Sequence, residues 1–261
     1  MTQWIAISRA QHADARYLPR ESYTFAANQP VADILLAKLN KLLPQYVLGF
    51  IKQGESYQPV ALLSLDGTQN LYVAPSGEWL SNYVPAALRG YPFILGHAEE
   101  SQKALCIDSD ALRDDGGESL FDDNEALSYK VARVFDFLKK CDKNRQMTRA
   151  STKALNDADV IEPWPLQIAF DEGQEPLEVN DLYRINEKAL NSLDAQAYAA
   201  LRGGPMMLAY ALLFSMGQLN QLTERARFHQ KSHDQQQGIT QFSESLDELL
   251  EGDDLTFDFD E

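Results

Sequence analysis

Apolar residues along the chain switch between a period of two and a period of three to four, in no regular order. WIAI at 4–7 opens with a strand-like run. After Pro30, VADILLAKLNKLL sets Val31, Ile34, Leu35, Leu39 and Leu42 at helical spacing. Proline suits the first turn of a helix, where its missing N–H costs nothing, so the pattern predicts a helix from 31. YVLGFIK (46–52) and YQPVALLSL (57–65) read as strands. The loop between them, Gln53-Gly54-Glu55-Ser56, is short enough for an antiparallel hairpin. Asp66-Gly67 supplies a turn before NLYVA (70–74), read as a further strand, and Pro75-Ser76-Gly77 supplies another. FILG (93–96) and KALCID (103–108) predict a strand pair. From about Asn124 to Ala154 the period turns helical, with Leu127, Val131, Val134, Phe135 and Leu138 on one stripe and Lys and Arg opposite. WPLQIAFD (164–171) and PLEVNDLYRI (176–185) form a second hairpin around Glu172-Gly173-Gln174. Two helices follow, near 186–202 and 205–225, with Pro205 in the first turn of the second. Hairpins interrupted by helices argue for an α+β fold, a largely antiparallel sheet with packed helices, rather than a doubly wound parallel sheet.

The pattern stops after Arg227. HQKSHDQQQGITQ is polar and Gln-rich, and SESLDELLEGDDLTFDFDE is acidic and aromatic. The division is therefore a globular body over 1–227, a polar linker over 228–241 and an acidic-aromatic tail over 242–261, too poor in apolar residues to order alone. At 261 residues and 44% apolar, the chain has material for a sizeable core. Its net charge is −16. Nine acids and no Lys or Arg lie between Phe242 and Glu261; without those nine charges the remainder carries −7. Such acidity repels a phosphate backbone and an anionic bilayer, which argues against nucleic-acid partners. MMLAYALLFSMG (206–217) is too short to span a membrane, and the first residues lack the charged start and apolar run of a secretory signal. Cys106 and Cys141 are too few for a disulfide framework and read as reduced thiols. The expected location is the cytoplasm.

Motifs for chemistry are sparse. Arg202-Gly203-Gly204 runs into Pro205, not into the Lys-Ser or Lys-Thr of a phosphate-binding loop, and neither a Gly-x-Ser-x-Gly elbow nor a Cys-x-x-Cys pair occurs. His229 and His233 stand four apart, the spacing of two ligands on one helix face, but within the polar linker and without a third ligand nearby. His97 precedes Glu99-Glu100 and reads as a loop histidine. Cys106 sits mid-strand among apolar neighbours, an inert buried thiol. Asp108, Asp110, Asp114 and Asp115 do not keep the spacing of a calcium loop and read as a solvated turn. No catalytic residue, metal site or cofactor is indicated.

Recognition is better represented. The stretch YVPAALRGYPFILG (83–96), with Trp79 just before it, collects Trp79, Tyr83, Arg89 and Tyr91. Aromatic faces with polar tips and a forked cation are the residue types of binding hot spots, and Pro85 and Pro92 lower the ordering cost. These four are the candidate client-binding residues. The competing expectation makes Trp79 and Tyr83 core anchors and Arg89 a solvated cation at a helix end. In the tail, Leu255, Phe257 and Phe259 alternate with acids, which places the three on one face of an extended strand. They are candidates for docking on a sheet edge of a basic partner, of the same body, or of another copy in a homo-oligomer.

The blocks YQPVALLSL, NLYV, GEW, YVPAALRGYPFILG, LCID, LF and LYRINEKALNSL, in this order and spacing across roughly residues 30–225, resemble the SapC family of bacterial proteins. The resemblance implies an association with surface layers, from which the family takes its name. It also implies a neighbourhood of TonB-dependent receptors, flavin-dependent halogenase-like proteins and cupin-like oxygenases. It brings no catalytic constellation. The function expected is a non-catalytic peptide- or protein-binding accessory or adaptor protein. The alternatives are an enzyme acting on a peptide or small metabolite through an unrecognised site, and a surface-layer-associated component.

Overall fold

The computed structural model describes residues 3–97, 103–168 and 176–230. In chain order the elements are β1 (Trp4–Ala6), α1 (Arg9–His12), β2 (Arg16–Tyr17), β3 (Val31–Asp33), α2 (Leu39–Leu42), β4 (Leu48–Gln53), β5 (Ser56–Leu62), β6 (Phe93–His97) and β7 (Lys103–Asp108). Then come β8 (Leu112–Arg113), β9 (Glu118–Ser119), α3 (Tyr129–Asp157), β10 (Ile161–Pro163), β11 (Leu166–Ile168), β12 (Leu177–Val179), β13 (Leu182–Ile185), α4 (Glu187–Asn191), α5 (Ala195–Ala200) and α6 (Gly204–Ser215). A last helix, α7, covers 219–230.

The Gly54 turn, at φ 59, closes the β4–β5 hairpin, with Leu48 facing Ala61 and Gln53 facing Ser56. This hairpin centres a five-stranded sheet in the order β10-β13-β4-β5-β3, with every pairing antiparallel. A second, three-stranded antiparallel sheet runs β1-β7-β6. β2 is flanked by β8 and β9, and β11 pairs with β12. The fold is thus α+β and largely antiparallel, as its alternation implies. α3 joins the two sheets. Its first half presents Val134, Phe135 and Leu138 around the buried Val131, packed with Tyr17, Phe93, Leu105, Ile107 and Leu120 of the three-stranded side. Its second half buries Thr148, Ser151 and Thr152 beside the core residue Leu155. Thr148 Oγ1 accepts from the Leu36 N–H and Asn144 Oδ1 from the Ala37 N–H, which caps the one-turn 3-10 helix at Leu36–Lys38.

Three expected elements differ. Residues 31–43 are not one helix: Val31–Asp33 are extended and pair with Val60–Leu62, and helical turns begin only at Leu36. The open edge of β5 supplied hydrogen bonds that the apolar spacing could not reveal. NLYVA is not a strand. The buried Asn70 side chain donates to the Ala26 carbonyl (3.0 Å) and accepts from the Tyr72 N–H (2.9 Å), replacing ladder bonds with local ones. The helix expected over 186–202 is two, because Asn186 and Asp194 each cap a new start, accepting from Ala189 N and Ala197 N at 2.8 Å. α7 runs to 230, so Phe228 and His229, placed by sequence in the linker, extend a helix of the body. The Glu172-Gly173-Gln174 turn and the tail lie outside the described residues. Among the described residues, no helix is long and apolar enough to cross a membrane.

Candidate functional site

The segment from Trp79 to His97 carries the chain from the core of the larger sheet to the edge of the smaller one. Trp79 begins it inside the core, 8% exposed and bridged to Val73. Its indole Nε1–H donates to Tyr46 Oη at 3.0 Å. Tyr46 Oη in turn donates to the Tyr83 carbonyl, and the Tyr46 and Tyr72 rings lie 4.7 Å apart. Burial pushes the Tyr46 phenol up to about 12, so it stays a neutral donor that ties this layer together.

Arg89 follows a one-turn 3-10 helix, Ala86–Leu88. Its guanidinium lies between the Tyr83 ring (5.2 Å) and the Phe137 ring of α3 (5.0 Å), and Nη2 donates to Tyr83 Oη at 3.4 Å. Its Nε is buried with no hydrogen-bond partner among the described residues. From the other side, Arg20 Nη1 donates to the Leu88 and Arg89 carbonyls. Gly90 then passes close to α3 and to β6: a Cβ would meet Leu138 Cδ2 at 2.7 Å and the Phe93 carbonyl oxygen at 2.9 Å, so a side chain there forces a shift. The cis Tyr91-Pro92 bond leads into β6.

At Tyr91 the segment meets open space. The ring stacks on Phe25 with centroids 3.9 Å apart and planes 4° from parallel. Its hydroxyl donates to Asp108 Oδ2 at 2.9 Å. Asp108 is itself buried, at 3% exposure, and its Oδ1 accepts from the Asp110 N–H. Burial first, then the Asp108 hydrogen bond and charge, raise the Tyr91 phenol to about 12. The ring is therefore fixed and neutral at physiological pH. Beside it lies a cavity of about 260 Å³ whose walls include Trp4, Phe25, Val31, Asp33, Tyr91 and Ile94. It sits between β3, the last strand of the larger sheet, and β6, the last strand of the smaller. Among the described residues neither outer edge is paired. Trp4 is 38% exposed on β1. Asp33 lies 3.7 Å from Arg145.

Of the four candidates in the stretch, Tyr91 faces this groove, Trp79 is core, and Tyr83 and Arg89 form the half-buried wall against α3. Leu255, Phe257 and Phe259 fall outside the described residues. Sequence reasoning missed Trp4 and Phe25, and Asp108, expected in a solvated turn, is instead buried at the end of β7. The alternation in LCID does place Asp108 on the same strand face as Cys106, but nothing in one sequence shows that Trp4 and Phe25 converge on Tyr91. Cys106 and Cys141 are both free and buried. His97 ends β6. His229, on α7, is buried, with Nε2 donating to the Leu71 carbonyl (3.2 Å) and Nδ1 accepting from the Gln69 amide (3.1 Å). Among the described residues, no three His, Cys, Asp or Glu are grouped to hold a metal ion. What the groove can do is enclose one apolar or aromatic side chain, beside strand edges that are unpaired among the described residues.

These features define an α+β protein whose two main antiparallel sheets are joined by one long helix. The SapC family profile matches residues 7–222, and the chain belongs to that family. No curated protein and no solved structure matches it.

Proposed function

We propose that this protein is a peptide- or protein-binding accessory protein, and that the groove beside Tyr91 receives an extended segment of its client. The observation that carries the reading is an aromatic cleft lying open between two strand edges that are unpaired among the described residues. An unpaired edge offers main-chain donors and acceptors to an added strand, and a pocket beside it selects a side chain. Tyr91, Phe25 and Trp4 are the contacting groups; Trp79, Tyr83 and Arg89 belong to the packed part of the same stretch. Asp33 at the groove disfavours an acidic residue at the inserted position. The family resemblance suggests the class of client: a protein of an uptake system or of a halogenase- or oxygenase-type modification system.

The test is panning a displayed peptide library against the full chain. Enriched peptides are expected to share one aromatic or branched apolar residue. Trp4→Ser is expected to weaken their binding by about tenfold, the equivalent of about 1.4 kcal/mol, without lowering the melting temperature. No enrichment, or enriched peptides indifferent to Trp4→Ser, would reject the reading.

A further inference from the structure

The helix α6, GPMMLAYALLFS, is apolar on every face, yet among the described residues only one of its faces is packed. Leu208, Ala209, Ala211, Leu212 and Ser215 are buried against the body, where Ser215 Oγ accepts from the Leu48 N–H at 2.9 Å. The outer stripe runs Met207, Tyr210, Phe214, Gly217, at spacings of three, four and three. That is the 3.5-residue period of a seam between two helices. Met207 is 50% exposed, Phe214 71%, and Tyr198 of α5 41%. The Tyr210 ring stacks on Phe214 with centroids 6.0 Å apart, and its hydroxyl lies 3.4 Å from that of Tyr198. A helix that is apolar all round is ordinarily covered all round.

This surface lacks charge where the rest of the chain is rich in it. From Gly203 to Thr223, twenty-one consecutive residues, there is no Asp, Glu, Lys, Arg or His, in a chain that is 24% charged. Depletion of charge, with Met and aromatic residues enriched, marks the centre of a protein interface. Beside Phe214 lies a cavity of about 630 Å³, between α6 and the corner of β13 and α4, with Ile185, Leu213 and Met216 in its walls. It shares no lining residue with the groove beside Tyr91. One surface thus carries an aromatic knob and, adjoining it, an apolar hole. A two-fold interface needs a surface complementary to itself. The rim agrees: Glu162, Arg184, Glu187 and Lys188 are two acids and two bases. A neutral rim can meet its own copy without the repulsion that a net charge of −16 sets up elsewhere. Tyr198, Met207 and Phe214, at about 200 Å² per side chain, expose on the order of 300 Å² together at those fractions. A standard interface buries about 800 Å² per partner, so the three supply its apolar centre and the cavity and rim the remainder.

We propose that this surface joins two copies of the chain in a two-fold dimer, with Phe214 of each copy seated in the cavity of the other. The contact repeats across the axis, so each substitution in it acts twice.

Analytical ultracentrifugation of the full chain, from about 1 to 100 μM, tests the dimer. The natural chain is expected to sediment at twice its 29.4 kDa mass over most of that range. Phe214→Glu is expected to raise the dissociation constant by at least about a hundredfold, and Met207→Glu by about tenfold. Both residues are exposed, so each variant is expected to keep the natural far-ultraviolet circular dichroism. Tyr129→Glu adds the same charge at an exposed aromatic residue of α3, outside the patch, and is expected to stay within about twofold. A natural chain that is monomeric at the top of the range overturns the proposal and leaves the face to a different partner. A dimer that survives both Phe214→Glu and Met207→Glu overturns it by placing the contact elsewhere. Equal weakening by Tyr129→Glu overturns it by reducing the effect to repulsion between acidic copies. If Phe214→Glu alters the dichroism, Met207→Glu decides by the same criteria.

Discussion

Trp79 and Trp4 are both large aromatic residues near the corner where the two sheets meet, and they do opposite things. Trp79 is 8% exposed, its indole N–H satisfied by Tyr46, its ring packed between Tyr72 and Tyr23. Trp4 is 38% exposed on a three-residue strand and borders the open groove. A buried aromatic with its polar tip satisfied inside the protein holds the fold; one with a free face beside a cavity is available to a ligand. The corner thus has a sealed side and an open side, and Tyr91, stacked on Phe25 and tied to Asp108, is the hinge point between them.

The largest expected effect comes from exchanging the two tryptophans' fates. Trp79→Ala should destabilise the protein by about 3–5 kcal/mol through the cavity it leaves. Trp4→Ala should cost under about 1 kcal/mol, as surface substitutions do. Chemical denaturation of both variants checks this; equal losses would erase the distinction. Next is Tyr46→Phe, which strips the acceptor from Trp79 and the donor from the Tyr83 carbonyl while keeping the ring. Two buried polar groups lose a partner, so a loss of about 1–3 kcal/mol is expected in the same assay.

Arg89→Ala comes third. The guanidinium contacts two rings, worth about 1–2 kcal/mol together, so stability should fall by that amount. If stability holds and peptide affinity falls instead, Arg89 belongs to the open side and the division between the two sides is misplaced. The smallest effect is on pH dependence. Burial first, and then the nearby Arg225 charge, hold the His229 imidazole below the usual histidine value, against a raising contribution from the Leu71 carbonyl. The unfolded chain binds this proton more readily, so stability is present above about pH 6.5 and falls as pH drops toward the lower folded value. Asp66, which lines one cavity with His229, has its carboxyl lowered, against desolvation, by Thr68, Ser64 and Gln69 hydrogen bonds, and so loses its contribution only at more acid pH. Melting temperature should therefore drop between about pH 7 and pH 5.5 by more in the natural chain than in His229→Gln.

How much of this was legible in one sequence follows from how local each signal is. The β4–β5 and β6–β7 pairs could be read because alternation and short polar loops are written within about fifteen residues. Val31–Asp33 misled because a three-residue edge strand is defined by its neighbour's hydrogen bonds, while its side chains also fit a helix. Tyr91 was recognisable as a rigid, amphipathic residue between turns. Its partners Trp4, Phe25 and Asp108 were not, since they come from three separate segments.

The chain has three tryptophans, Trp4, Trp79 and Trp164, and each gives one indole N–H resonance. Trp79 and Trp164 are 8% and 4% exposed, while Trp4 is 38% exposed. The most direct measurement is a nitrogen–proton correlation spectrum of the full chain titrated with a peptide enriched by panning. Occupation of the groove predicts that the Trp4 indole moves, saturating with the peptide, while Trp79 and Trp164 stay in place. A saturating peptide that leaves Trp4 unmoved would contradict the assignment of the open groove as the client-binding site.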